Sequence, residues 1–259
     1  MPVEVPRRFP VAGDLAGLSA LVTGGGRGLG LVMACALAAA GARVAIAGHR
    51  PEFLESGLAE VRKHGSGVTL LADLRNVDQT RHLVRAAADQ LGGLDILVNN
   101  AGGGARAAPE ELTTEQFDEI FSLNVRAVYF ACSEAAGVMS GGGAIVNVAS
   151  VVGYLVEPEM AAYSSSKAAV IQLTRALAGA WGPRQIRVNA VAPGFTDSPL
   201  NAHRKADPAK AEAVTGRTPL GRWGKPADVA QAVVFLAAPS SAFVTGQVLT
   251  VDGGYSLGK

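Results

Sequence analysis

From Leu18 onward, short apolar or β-branched runs alternate with longer stretches, about 12 to 20 residues each, in which apolar positions recur at helical spacing. Seven runs have the length and branching of strands, at 20–23, 43–47, 68–72, 95–98, 144–149, 186–192 and 247–251. Helical patterns begin near Gly28, Pro51, Val77, Thr114, Ala161 and Pro226, several behind a capping residue or an early proline. The strand runs are almost continuously apolar, which suits a parallel sheet covered by helices on both faces. The pattern predicts an α/β fold, a single doubly wound Rossmann-type domain over residues 15–259 behind a loose arm at 1–14. Residues 195–222 break the rhythm with prolines, basic residues and scattered alanines. This stretch reads as a substrate lid, or else as a plain surface excursion.

Composition narrows the partners. Of the 259 residues 49% are hydrophobic, 17% charged and only 5% aromatic, so the core is mostly Ala, Val and Leu. A net charge of +1 supplies no field for nucleic acid or an anionic membrane, which leaves a small molecule as the expected partner. The apolar stretch 31–48 is interrupted by Gly41 and Arg43, so no membrane span is expected, and the first residues lack the apolar centre of a secretory signal. Cys35 and Cys132 lie in apolar helical patterns and read as reduced core residues of a cytoplasmic protein. His49, His64, His82 and His203 form no ligand spacing, so no metal is expected.

Nucleotide chemistry is signalled at three strand ends. TGGGRGLG, opening at Thr23, follows the first strand and starts a helix, so Gly24, Gly28 and Gly30 permit the tight turn that presents backbone N–H groups to a pyrophosphate. Asp73, followed by Leu74, ends the third strand where a carboxylate can accept from an adenine amino group, and NNAG, from Asn99 to Gly102, ends the fourth. Ligands of such sheets bind outside the carboxyl ends of the strands, where all three cues fall. At the end of the second strand Gly48 replaces the acid that would hold a ribose 2′-hydroxyl, with His49 and Arg50 next and Arg27 in the glycine turn. Cations without an acid favour a 2′-phosphate, so NADP is expected over NAD.

Proton chemistry is signalled by YSSSK. Tyr163 and Lys167 stand four apart, which on a helix places both on one face, thirteen residues after Ser150. A phenol titrates near 10, and a neighbouring cation is expected to lower it; about three units requires roughly 4 kcal/mol of differential interaction.

Taken together TGGGRGLG, NNAG, Ser150, YSSSK and the APG ending at Gly194 resemble the short-chain dehydrogenase/reductase family, over residues 15–254. The chain looks like its short single-domain branch, which includes 3-oxoacyl carrier-protein reductases and gluconate 5-dehydrogenases. The resemblance implies a strand order 3-2-1-4-5-6-7, a homotetramer, and hydride transfer between a nicotinamide and a ketone or secondary alcohol. It implies catalytic roles for Asn124, Ser150, Tyr163 and Lys167, with Asn124 holding a relay water that links Lys167 to solvent, through its side chain or a backbone carbonyl. Leu29, Asn100, Ala101, Pro193, Gly194 and Thr196 would join the glycines in holding the cofactor, as would Tyr163 and Lys167. Enoyl-reducing relatives place six residues between Tyr and Lys, whereas this chain has three. A catalytically silent nucleotide-binding scaffold is the alternative from another class. A carrier-protein reductase is the alternative within enzymes, although GVMSGGGA before the fifth strand offers no cation to an acidic carrier. Apolar Val152, Tyr154, Leu155 and Met160, mixed with Glu157 and Glu159, are expected to line the substrate pocket.

Overall fold

The computed structural model describes residues 13–258, so the arm expected at 1–14 lies outside them except for Gly13 and Asp14. The strands are β1 (Ser19–Thr23), β2 (Arg43–Gly48), β3 (Gly67–Leu71), β4 (Ile96–Asn99), β5 (Gly143–Val148), β6 (Ile186–Pro193) and β7 (Val248–Val251). All pair in parallel, in the order β3-β2-β1-β4-β5-β6-β7. That is the order the family resemblance implied, and each strand lies within a residue of its expected bounds.

Alternate strand residues feed two cores, as the two-residue period of a pleated strand demands. Ala20, Val22, Val44, Ile46, Ile96 and Val98 pack under helices α1 (Gly28–Ala39) and α9 (Pro226–Ala237). Leu21, Ala45, Ala47, Leu97 and Ile145 point the other way, beneath α3 (Val77–Leu91), α5 (Ala127–Val138) and α6 (Ala161–Trp181). Leu21 is fully buried, and truncating such a residue to Ala costs about 2–5 kcal/mol.

Local signals set the helix ends. Asn76 caps α3 by accepting from Gln79 N, and Gly92 ends it in the left-handed region at φ 70°. Thr113 and Gln116 form a capping box at the start of α4 (Thr114–Phe121). The pattern beginning near Thr114 is one rod with a π-helical insert, Ser122–Arg126, between α4 and α5. The insert carries Asn124 and left no mark in the sequence periodicity. Helix α2 (Pro51–Val61) opens on a proline. Residues 195–222 fold into α7 (Ala202–Lys205) and α8 (Pro208–Arg217). Thr196 is tied back to the body by a parallel bridge to Gly224.

Candidate active site

The glycine turn between β1 and α1 is shaped by what it lacks. Gly24 and Gly28 have φ of 65° and 56°, which L side chains rarely adopt, and a Cβ at Gly30 would overlap the Gly24 carbonyl oxygen and Asn100 Nδ2. The amino end of α1 has no side-chain cap and no acid in its first turn, so its N–H groups and dipole remain available to an anion. A dinucleotide pyrophosphate therefore fits this turn. Leu29 packs against the core below.

Asn100 works on the turn itself. Its Nδ2 donates to Thr23 O at 2.9 Å and to Gly24 O at 3.2 Å, while the Asn100 and Ala101 N–H groups both donate to Thr23 Oγ1. Its side chain thus ties the end of β4 to the glycine turn. Asp73 is likewise engaged: its carboxylate accepts from Arg75 Nη2 at 2.8 Å and from Arg75 Nε. That hydrogen-bonded guanidinium holds the Asp73 carboxyl below the usual range despite partial desolvation. Leu74 beside it is buried in the second core.

At the end of β2, Arg27 and Arg50 converge on one ring that the sequence reading did not single out. Their guanidinium carbons lie 4.7 and 5.5 Å from the centroid of Phe53. His49 is exposed next to Arg50. On the opposite side of the sheet centre, β6 ends at Pro193, and a Cβ at Gly194 would come within 2.6 Å of Asp252 Cβ. Thr196 is 4% exposed, and its carbonyl accepts from Asn201 Nδ2.

The catalytic candidates gather where β5, the π-helical insert and α6 meet. Tyr163 and Lys167 are both buried on α6. Lys167 Nζ donates to Val148 O at 2.8 Å and lies 5.6 Å from the Tyr163 ring centroid. Ser150 stands close enough to the Tyr163 phenol to pull its pKa down, and its Oγ accepts from Val152 N. Asn124 is fully buried, with Nδ2 donating to Gly103 O and Ser166 Oγ while Oδ1 accepts from Gly103 N. Ser166 Oγ donates in turn to Tyr163 O at 2.7 Å. The loop after β4 closes directly over this group. A Cβ at Gly102 would stand 3.4 Å from Lys167 Nζ, and one at Gly104 would stand 2.7 Å from Tyr163 Cδ2.

One expectation changes. Burial pushes the Tyr163 phenol up to about 12, with Ser150 pulling the other way, whereas the sequence predicted a lowered value. Burial also brings Lys167 down to about 8, because its ammonium has a single carbonyl partner, so desolvation outweighs the expected mutual help in the ligand-free chain. The side chain of Asn124 is taken up by Gly103 and Ser166, which leaves its backbone carbonyl, the route expected for a relay water. Tyr154 places its hydroxyl 2.9 Å from Thr250 Oγ1, and Leu155 and Met160 pack with Val152 and Tyr163.

Sequence reading also missed a buried polar line behind the site. Asn99 Nδ2 donates to Asn147 Oδ1 at 2.9 Å, Asn147 Nδ2 to Thr174 Oγ1 at 3.0 Å, and Cys132 Sγ accepts from Asn99 Nδ2. Satisfied polar groups of this kind rigidify a core, here joining β4, β5 and α6. Burial raises the Cys132 thiol to about 12, and both cysteines are free. Among the described residues no helix is long and apolar enough to cross a membrane, and no group of His, Cys, Asp or Glu is arranged to hold a metal ion.

Comparison with known proteins identifies the family and the fold. A family model described as enoyl-(acyl carrier protein) reductase matches residues 24–256. The gluconate 5-dehydrogenase of Gluconobacter oxydans is 39% identical over 247 residues, spanning 94% of this chain and 96% of that protein. A dehydrogenase/reductase from Sinorhizobium meliloti superposes with a TM-score of 0.89 at 41% identity, covering 94% of this chain and 97% of its own. The Pseudomonas aeruginosa RhlG/NADP active-site complex gives 0.89 at 35% identity, covering 95% and 98%. With the strand order, the glycine turn and the likeness all running the length of the sheet, the chain belongs to the short-chain dehydrogenase/reductase family of nicotinamide-dependent oxidoreductases.

Proposed function

We propose that the protein is an NADP-preferring carbonyl reductase, or in reverse an alcohol dehydrogenase, acting on a free ketone or secondary alcohol. The observation that carries this reading is the burial of Tyr163 and Lys167 on one face of α6, with Ser150 near the phenol, beside an uncapped glycine turn. A bound nicotinamide supplies hydride to the carbonyl carbon. The chain supplies the proton and the orientation. Ser150 donates a hydrogen bond that polarises the carbonyl oxygen, and Tyr163 Oη delivers the proton that completes the alcohol. A phenol held near 12 stays protonated at neutral pH, which suits a donor in the reducing direction. Lys167 holds the nicotinamide ribose hydroxyls, and its charge stabilises the phenolate left behind. Asn124 anchors the loop at Gly103, and a backbone carbonyl of the π-helical insert holds the relay water.

The four-residue spacing of Tyr163 and Lys167 favours carbonyl over enoyl reduction. Cofactor preference rests on Arg27 and Arg50, flanking Phe53, with Gly48 in place of an acid. Gly24, Gly28, Gly30, Ala101, Gly102, Pro193, Gly194 and Thr196 complete the cradle. Residues 195–222 serve as the lid, consistent with Pro199 Cδ lying 3.6 Å from the position of a Cβ at Gly28. Free thiols support a cytoplasmic setting. Self-association as a tetramer is supported by exposed Phe117 and Tyr129 on the rod of α4 and α5, beside a groove walled by Leu173 and Ala176 of α6.

NADPH absorbance decay over a panel of ketones tests the activity, and Michaelis constants for NADP and NAD test the preference. No turnover of any ketone at full NADPH binding would leave the silent scaffold as the better reading. Light scattering of the purified chain tests the tetramer.

A further inference from the structure

The loop after β4 roofs the reacting pair with bare backbone. A Cβ added at Gly102 would lie 3.4 Å from Lys167 Nζ, and one at Gly104 would lie within 3.2 Å of three Tyr163 carbons. Gly102, Gly103 and Gly104 have no side chains to hold this position, so the roof depends on its ties. At its far end Ala107 N donates to Glu159 O at 3.1 Å, and Arg106 lies 3.6 Å from Glu157 Oε1, the oxygen that also meets Arg204. At its near end Gly103 is held twice by Asn124, whose Nδ2 donates to Gly103 O at 2.8 Å while Oδ1 accepts from Gly103 N at 3.0 Å. Ser166 sets the direction of that clamp. Its one proton goes to Tyr163 O at 2.7 Å, so its oxygen presents a lone pair to Asn124 Nδ2, 2.9 Å away. The Asn124 amide must therefore turn nitrogen toward Ser166, and both residues are fully buried.

We propose that Ser166 is a positioning residue for proton transfer, orienting the Asn124 amide and through it the Gly102–Gly104 roof over Tyr163 and Lys167. This inference rests on the carbonyl-reductase reading above and adds to it a residue that acts only through others. Two observations favour it over an ordinary helical hydroxyl. A serine inside a helix satisfies itself by bonding back to a carbonyl one turn earlier. Ser166 does so and also accepts from a second element, which joins α6 to the π-helical insert. The same helix supplies a comparison in Thr174, which bonds back to Val170 O at 2.8 Å and accepts from Asn147 Nδ2 at 3.0 Å. Thr174 is equally buried, but its partner lies on β5, whereas the partner of Ser166 leads to the roof. Removing the Ser166 oxygen leaves a buried Asn124 N–H without an acceptor, and an amide that turns to find another releases Gly103.

The test sets Ser166→Ala beside Thr174→Val in the full chain. Each removes one buried hydroxyl from α6 with little change of shape, and alanine suits a helix interior. Amide hydrogen exchange, read by mass spectrometry on the stretch from Asn99 to Ala107, should quicken by about tenfold in Ser166→Ala and stay unchanged in Thr174→Val, although both variants melt at lower temperature. Kinetics use NADPH and the fastest of cyclohexanone, acetophenone and ethyl acetoacetate. Ser166→Ala should lose about tenfold in kcat while KM for NADPH stays within about twofold, and Thr174→Val should keep the wild-type kcat. Exchange unchanged in Ser166→Ala, exchange equally quickened in both variants, or quicker exchange at an unchanged kcat would each overturn the assignment. Exchange needs no substrate, so the two readings fail separately. A loop loosened only by Ser166→Ala, in a protein that reduces none of the ketones, upholds the positioning of the roof and removes the reductase reading.

Discussion

At the nucleotide end the chain makes room by leaving side chains out, whereas at the catalytic end it makes a reactive group by burying side chains with few partners. The turn from Gly24 to Gly30 is backbone held by backbone, by Asn100 and by the Thr23 hydroxyl, and its neighbouring cations Arg27 and Arg50 stand at the surface on Phe53. Tyr163, Lys167 and Asn124 sit in the dry interior, where desolvation outweighs every pairwise attraction. The contrast separates binding from chemistry: an anion needs preorganised N–H groups, whereas proton transfer needs titratable groups whose values can be moved.

Substitutions at each end should therefore fail in different ways. Tyr163→Phe removes the proton donor without touching the turn, so kcat should fall by about 10²–10⁴ while NADPH affinity stays within about twofold. Rapid kinetics with fluorescence titration would check this, and a loss of affinity matching the loss of rate would erase the division. Gly30→Ala drives a methyl group into the Gly24 carbonyl, with an expected cost of about 1–3 kcal/mol that appears as weaker NADPH binding and a lower melting temperature. Intact binding in that variant would mean the turn has slack that the geometry denies. Arg27→Ala and Arg50→Ala should each reduce the NADP over NAD preference in kcat/KM by about tenfold, with kcat nearly constant.

The last comparison is a pH dependence of stability in the ligand-free protein. Lys167 titrates at 10.5 when unperturbed and at about 8 when folded, so between those values the unfolded chain binds more protons and stability rises with pH. Tyr163 has the opposite sign, since its raised value costs stability only above 10. Denaturant melts from pH 8 to 10 should show the wild type gaining on Lys167→Met. A flat difference would place Lys167 in a wetter site than its burial indicates.

Much of the architecture was legible because it is periodic. Continuous apolar runs gave the seven strands to within a residue, and the caps at Asn76 and Thr113 are local chemistry. The glycine turn and the Tyr163–Lys167 pair were legible as short spacings. Phe53, Asn147, Thr174 and Ser166 had no signal, because an aromatic or polar residue in a helix or strand looks the same whether or not a partner lies across the sheet. The π-helical insert at Asn124 was hidden for a related reason, as one widened turn barely shifts the apolar stripe.

Sequence alone determined the alternation of strands and helices, the bare turn and the order of the reactive residues, since each depends on neighbours along the chain. Tertiary structure decided the direction in which Tyr163 and Lys167 titrate, the engagement of Asn100 and Asp73, and the meeting of Arg106, Glu157 and Arg204. Desolvation and charge pairing depend on distance in space, which residue order does not contain.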